Sequence, residues 1–261
     1  MPGRGSAGPG AVPARRPAVR ERTGESEDIQ PCSRCPVARV CLPGSVPSAQ
    51  VPQLETMVTR QRTVAAGKVL FHAGEEFSSL FAVRSGGLKS TVVDADGSEH
   101  ILNFHLPGEV LGFAAIYHGR HVVSAVALVP STVCHLSFSE ILRLAQLFPG
   151  LVLGLLRIAS RSALYTGRLT GDHNAAVRVA AFLLSQSGRL KAQGRRYSEF
   201  ELVMSREDIA NHLRLAPETV SRVLTQLRGQ GVISVRRKAV RLLDEDRLQA
   251  LAGPMLPYGQ G

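Results

Sequence analysis

No apolar run in this sequence approaches the ~20 residues that span a bilayer, and its N-terminus lacks the positive, apolar and small-residue succession of a secretory signal. No membrane partner is therefore expected, and the expected compartment is the cytoplasm. An oxidoreductase would need a place for substrate or a second electron carrier, yet no G-x-G-x-x-G follows a strand-like run and no P-loop occurs. The chain is not expected to be an enzyme. Cysteine is scarce, with four in 261 residues, and in a reducing cytoplasm these suggest metal binding or redox chemistry in preference to two structural disulfides.

Three of the four cysteines, Cys32, Cys35 and Cys41, fall in one turn-prone stretch with C-x2-C-x5-C spacing, and the fourth, Cys134, lies far downstream. Thiolates are soft donors that favour zinc or iron–sulfur clusters, and four of them complete either kind of centre. Structural zinc sites typically pair two C-x2–4-C knuckles. One such pair, a longer spacing and a lone cysteine favour a cluster, with zinc as the alternative. His72, His105, His118, His121 and His135 are scattered through turns and strand-like runs and read as surface or packing residues.

The formal charge is +10 with a pI near 10.2, which favours a polyanionic partner. Residues 171–261 hold 14 Lys and Arg against 9 Asp and Glu, while residues 1–28 are nearly balanced at 5 against 4. Rich in Gly, Pro, Ala, Ser and Arg and without a hydrophobic period, 1–28 read as a disordered tail. A cysteine segment follows over 29–60. From 61 to 148, short apolar runs alternate with glycine turns, of which Asp96-Gly97 is the clearest hairpin signal, predicting a jelly-roll β-domain. Ser139 to Leu147 reads as a short helix capped by Ser139. In 149–171, Leu151, Leu155, Ile158, Ser162, Tyr165 and Leu169 recur at intervals of four and three, the seam expected of a pairing helix in a homodimer. Asn174 to Gln186 reads as a further amphipathic helix. The fold class is therefore α+β.

The remainder of 172–261 contains a DNA-reading pattern. Ser205 and Asp208 form a capping-box-like start to a small helix, Arg214-Leu215-Ala216 makes a tight turn, and a second helix opens with Pro217 at its first position. Ile233 to Leu243 then alternates around Arg237-Lys238 as a hairpin, completing a winged helix-turn-helix. The second helix displays Glu218, Ser221 and Arg222, side chains able to read base edges of double-stranded DNA. Arg206, Arg228, Arg236, Arg237 and Lys238 are the expected phosphate contacts.

From about Cys32 onward these features resemble the Crp/Fnr family of bacterial transcription regulators, and within it the oxygen-responsive FNR type. Pro217-Glu218-Thr219-Val220-Ser221-Arg222 looks like the family's recognition helix, and Arg84-Ser85-Gly86 and Phe104 to Phe113 resemble its β-roll. The resemblance implies that Cys32, Cys35, Cys41 and Cys134 hold a [4Fe-4S] cluster. It further implies that the intact cluster favours dimerisation and binding to inverted TTGAT-like half-sites, that oxygen ends both, and that genes of low-oxygen respiration respond. Gly112 to Gly119 and the β-roll loops are, by the same resemblance, candidate contacts to RNA polymerase, and Pro36 and Val40 are candidates for tuning oxygen access. Where cyclic-nucleotide members carry a ribose acceptor and a phosphate-binding cation, this sequence has Phe113 and Val123, so no cyclic nucleotide is expected. A Crp-like regulator with structural zinc or another small-molecule signal is the alternative. The sequence departs from the family at Arg214, a turn position usually Gly, and at Ala216, usually a Ser or Thr cap; each costs about 1 kcal/mol.

Overall fold

A computed structural model describes residues 29–169 and 174–253, without the side chains of 161–169. The tail expected over 1–28 and the side chains of Ser162, Tyr165 and Leu169 lie outside the described residues. Residues 32–50 wind through short 3-10 turns and lead into helix α1 (Val51–Leu54). Strands β1 (Val58–Val64), β2 (Val69–Phe71), β3 (Ser79–Ser85), β4 (Leu88–Val93), β5 (Glu99–His105) and β6 (Val110–Leu111) follow. Helix α2 (Ala115–His118) then precedes β7 (Ser124–Ala127) and β8 (Ser131–Ser137).

These strands form two four-stranded antiparallel sheets, β1-β8-β3-β6 and β2-β7-β4-β5, the jelly roll expected from the glycine-punctuated runs. The Asp96-Gly97 turn is present, with Gly97 at φ 86° and the Asp96 carboxylate accepting from the Ser98 amide at 2.9 Å. Side chains of β3 and β8 are buried on both faces. Phe81, Val83 and Val133 face the second sheet, whereas Leu80, Ala82, Cys134 and Leu136 face the helices and the cysteine segment. This alternation puts Cys134 on the cysteine side of the sheet.

Helix α3 (Phe138–Leu147) is capped by Ser137, whose hydroxyl accepts from the Glu140 amide, and not by Ser139. Helix α4 (Pro149–Leu169) holds the expected seam, but Leu151 is fully buried in its own domain's core, and Leu155 and Ile158 pack against that core. Among the described side chains of α4, Val152, Leu153 and Leu156 are apolar and exposed. Gly150 and Gly154 lie against Ser45, where a Cβ would come within 2.7 and 2.4 Å of it. Such close approach presses α4 onto the turn that follows Cys41, which accounts for the burial of Leu151.

Helix α5 (Ala175–Ala192) is capped by Asn174 and runs six residues beyond the expected end at Gln186. Its Ser185 to Arg189 stretch has no apolar period, yet all five residues are buried, because the helix docks on the β-roll there. Next come β9 (Glu199–Glu201), α6 (Arg206–Leu213), α7 (Pro217–Gly229), β10 (Ile233–Arg236), β11 (Ala239–Leu242) and α8 (Glu245–Ala252). Strands β10-β11-β9 form the wing sheet. The short β9 and α8 carried no signal in the sequence strong enough to read. Phe104 and Ile101 of β5 join the core of this C-terminal unit, so the two units share apolar packing.

Candidate metal centre and nucleic-acid interface

Cys32, Cys35, Cys41 and Cys134 line one cavity with about 390 Å³ of empty space, part of it open to solvent. Its other walls are mainly apolar, including Val37, Met57, Val58, Ala82 and Leu136. Strand pairing explains how the distant cysteine arrives: Cys134 lies opposite Gln61 of β1 and Ala82 of β3. The first three cysteines arrive on consecutive tight turns, in which the Cys35 amide donates to the Cys32 carbonyl at 3.0 Å and the Cys41 amide to the Val37 carbonyl at 3.1 Å.

All four cysteines are free. Burial, followed by the repulsion of its thiolate by Cys134, Cys35 and Glu55, pushes the Cys32 thiol up to about 12. Burial likewise pushes Cys134 up to about 11 and raises Cys41 further still. Arg84 alone does not offset this burial, and a bound metal is what would offset four thiolates in an apolar wall. Arg84, whose charge lowers the Cys32 and Cys134 thiols, and Gln61, bonded to Cys134, are polar members of the cavity; the sequence marks Arg84 only as part of a β-roll motif and gives neither a place beside the cysteines. Only the β1-β8-β3 register brings them there, so no local sequence signal places them.

Among the described residues, no group of three or more His, Cys, Asp or Glu side chains is placed to hold a metal ion. The thiols share a cavity wall without closing on one point. Four soft donors, an apolar lining and a nearby guanidinium fit an anionic iron–sulfur cluster held at the ends of its thiolates. His105 and His121 are buried packing residues: His105 bonds Ser90 at 2.6 Å, and His121 stacks on Phe71 at 3.8 Å.

At the other end, Ser205 and Asp208 form a reciprocal capping box on α6, with both backbone bonds at 3.0 Å. On α7, Val220, Val223, Leu224 and Leu227 are buried, leaving Glu218, Ser221 and Arg222 together on the exposed face. Arg222 donates to Thr219 Oγ1 at 3.2 Å, and among the described residues it makes no ion pair with Glu218. Arg236, Arg237 and Lys238 are exposed at the wing tip, where Arg237 sits at φ 55°.

The other two cations are placed differently. Half-buried Arg206 donates from Nη2 to the Arg237 carbonyl at 3.0 Å, pinning the wing to α6. Arg228 is exposed in the last turn of α7, eleven residues from Pro217 or about 16 Å at 1.5 Å per residue, where it complements the helix dipole.

Arg214 occupies the left-handed region at φ 53°, ψ 49°, and Ala216 leaves α7 without a side-chain cap. Both are local losses. Arg214→Gly and Ala216→Ser are each expected to raise stability by about 1 kcal/mol in denaturant unfolding; a fall in stability for either would mean that the residue makes a contact this geometry lacks.

A β-roll joined through a long helix to a winged helix-turn-helix, with Glu218, Ser221 and Arg222 exposed on its second helix, defines a DNA-binding transcription regulator. Residues 61–147 match the cyclic nucleotide-binding domain family and residues 177–251 the Crp-like helix-turn-helix domain. The transcriptional activator protein Anr of Pseudomonas aeruginosa is 39% identical over 86% of this chain and 93% of its own. The fumarate and nitrate reduction regulatory protein of Salmonella typhimurium is 36% identical over 85% and 90%. Among solved structures, FixK2 of Bradyrhizobium japonicum superposes with a TM-score of 0.66 at 27% identity, covering 74% of this chain and 96% of that one. The chain belongs to the Crp/Fnr family of transcription regulators, whose members bind DNA and typically act as dimers, and it is not an enzyme. No described helix is long and apolar enough to cross a membrane.

Proposed function

We propose that this protein is a cytoplasmic oxygen-responsive regulator of anaerobic-respiration genes, in which Cys32, Cys35, Cys41 and Cys134 hold a [4Fe-4S] cluster. The observation that carries this reading is the convergence of all four cysteines, separated by up to 102 residues, on one cavity. Bound there, the cluster would supply an oxygen-labile cross-link between the 32–41 segment and β8. Ser45, four residues beyond Cys41, touches α4 at Gly150 and Gly154, so the packing of this segment sets where α4 lies. Two protomers would pair through α4 and present two α7 helices to inverted TTGAT-like half-sites. Exposed Tyr117 and Ile116 on α2 favour the Gly112 to Gly119 segment as a contact to RNA polymerase. At the nucleotide-binding positions of the roll, Phe113 packs on the core beside α4 and Val123 on the core between the sheets, which supports a signal other than a cyclic nucleotide.

Anaerobic purification, metal and sulfide analysis, and binding to an inverted TTGAT site before and after air test the reading. The expected result is about four irons and four sulfides per chain, with brown colour and DNA affinity both lost in air. Cys134→Ser is expected to lose both without air. Zinc in place of iron, or DNA binding indifferent to air, would overturn it.

A further inference from the structure

Val40 sits beside Cys41 but points its packing at a different part of the molecule. Gly108, at φ 88°, has no room for a side chain: a Cβ built there would come within 2.3 Å of Val40 Cγ2 and 3.5 Å of Val37 Cβ. The cysteine segment therefore bears on the backbone of the Leu106–Glu109 turn. That turn is rigid. Glu109 donates its amide to the Leu106 carbonyl and accepts the Leu106 amide on Oε2, both at 3.0 Å. Gly108 and Glu109 are also tied to Val83 of β3, at 2.8 and 2.9 Å.

The opposite side of the same turn holds the DNA-binding unit. Arg189 of α5 pairs through Nε with Glu109 Oε1 at 3.4 Å and donates from Nη1 to the Phe104 carbonyl at 3.0 Å. Gln193 Nε2 donates to the Pro107 carbonyl at 2.7 Å. The Arg189 side chain is only 2% exposed, so this ion pair lies where charge interactions are strong and displacement is costly. Val40, Pro107, Glu109, Arg189 and Gln193 also surround about 210 Å³ of empty space, part of it open to solvent. The junction thus joins directional bonds on the side of α5 to a close apolar contact on the side of the cysteine segment, so that losing the contact can reach the bonds.

We propose that Val40 and the Leu106–Glu109 turn couple the cysteine segment to the DNA-binding unit within a single protomer, by a route separate from α4. Val40, Glu109, Arg189 and Gln193 are its positioning residues. When the 32–41 segment repacks, Val40 leaves Gly108, the turn relaxes, and α5 and the helices packed on it lose their fixed orientation to the roll. This assigns Val40 a mechanical part where the sequence suggested one in oxygen access, and it rests on the function proposed above.

The test uses full-length protein, anaerobic, with hydrogen exchange of α5 and DNA affinity measured with and without the cluster. Val40→Ala and Gln193→Ala are expected to speed exchange across residues 186–193. They should lower the loaded-to-unloaded affinity ratio about fivefold or more, with iron content unchanged, while Val40→Ile retains both. Exchange and affinity ratio equal to wild type in both Ala variants would overturn the coupling. A wild type that binds no iron would defeat the oxygen-sensing reading alone, because faster exchange in α5 of iron-free Val40→Ala would still support the contact, and unchanged exchange would reject it.

Discussion

Leu151→Ala and Leu156→Glu, five residues apart on one helix, are expected to fail in opposite ways. Leu151 is fully buried among Leu42, Leu54, Ile141 and Leu144, so its truncation leaves a cavity in the roll's own core and should cost about 2–5 kcal/mol in denaturant unfolding. Leu156 is 58% exposed beside Val152 and Leu153, so a carboxylate there should leave the fold within about 0.5 kcal/mol of wild type. It should instead keep the protein monomeric in sedimentation. Losing the second DNA-reading unit then forfeits an avidity of about 10²–10⁴ on a palindromic site. A folded monomer from Leu151→Ala, or an intact dimer from Leu156→Glu, would mean that the partner packs on the other face of α4.

That reversal shows what periodicity can and cannot carry. Of the stripe spaced by four and three, Leu151 is fully buried in its own domain while Leu155 and Ile158 are only half-buried against it, and a stripe facing its own domain has the same spacing as one facing a partner. What decides is tertiary: the glycines at 150 and 154 let Ser45 approach α4, turning Leu151 inward. Elements defined by local chemistry were legible. The jelly-roll strands followed from alternation and glycine turns, and the helix-turn-helix from the Ser205 box, Pro217 and the basic hairpin, because each of those signals is a short-range constraint on the backbone. Helix α5 extends six residues past its expected end because its last turns bury polar residues in place of an apolar stripe, among them Arg189, which donates to the Phe104 carbonyl of the β-roll.

The cysteine site divides in the same way. C-x2-C-x5-C is local, and it foretold three donors on tight turns. The place of Arg84 and Gln61 beside the cysteines was not legible, because they enter the cavity only through the pairing of three strands far apart in sequence. The contact of Val40 on Gly108 was hidden for the same reason. A glycine after proline reads as an ordinary turn until a neighbour is seen to occupy the place of its missing side chain.

Arg222→Ala and Arg237→Ala should both weaken DNA binding, and the manner of weakening separates base reading from phosphate holding. Arg222 lies on the exposed face of α7 one turn beyond Glu218, near the end of the helix expected to enter the major groove, and its one hydrogen bond among the described residues, to Thr219, is easily exchanged. A guanidinium there can donate two bonds to guanine. Its removal is expected to cost about 1–3 kcal/mol per half-site, to relax preference at one base pair, and to leave the salt dependence nearly unchanged. Arg237 stands at the wing tip, held by Arg206 through its own backbone carbonyl, so its side chain is free to meet a phosphate. Its loss should weaken matched and mismatched sites alike and reduce the salt slope by about one per half-site. Titrations of matched and single-substituted palindromes at several salt concentrations separate the two. Equal weakening of every sequence by Arg222→Ala would remove it from the base-reading set and leave Glu218 and Ser221 to carry the specificity.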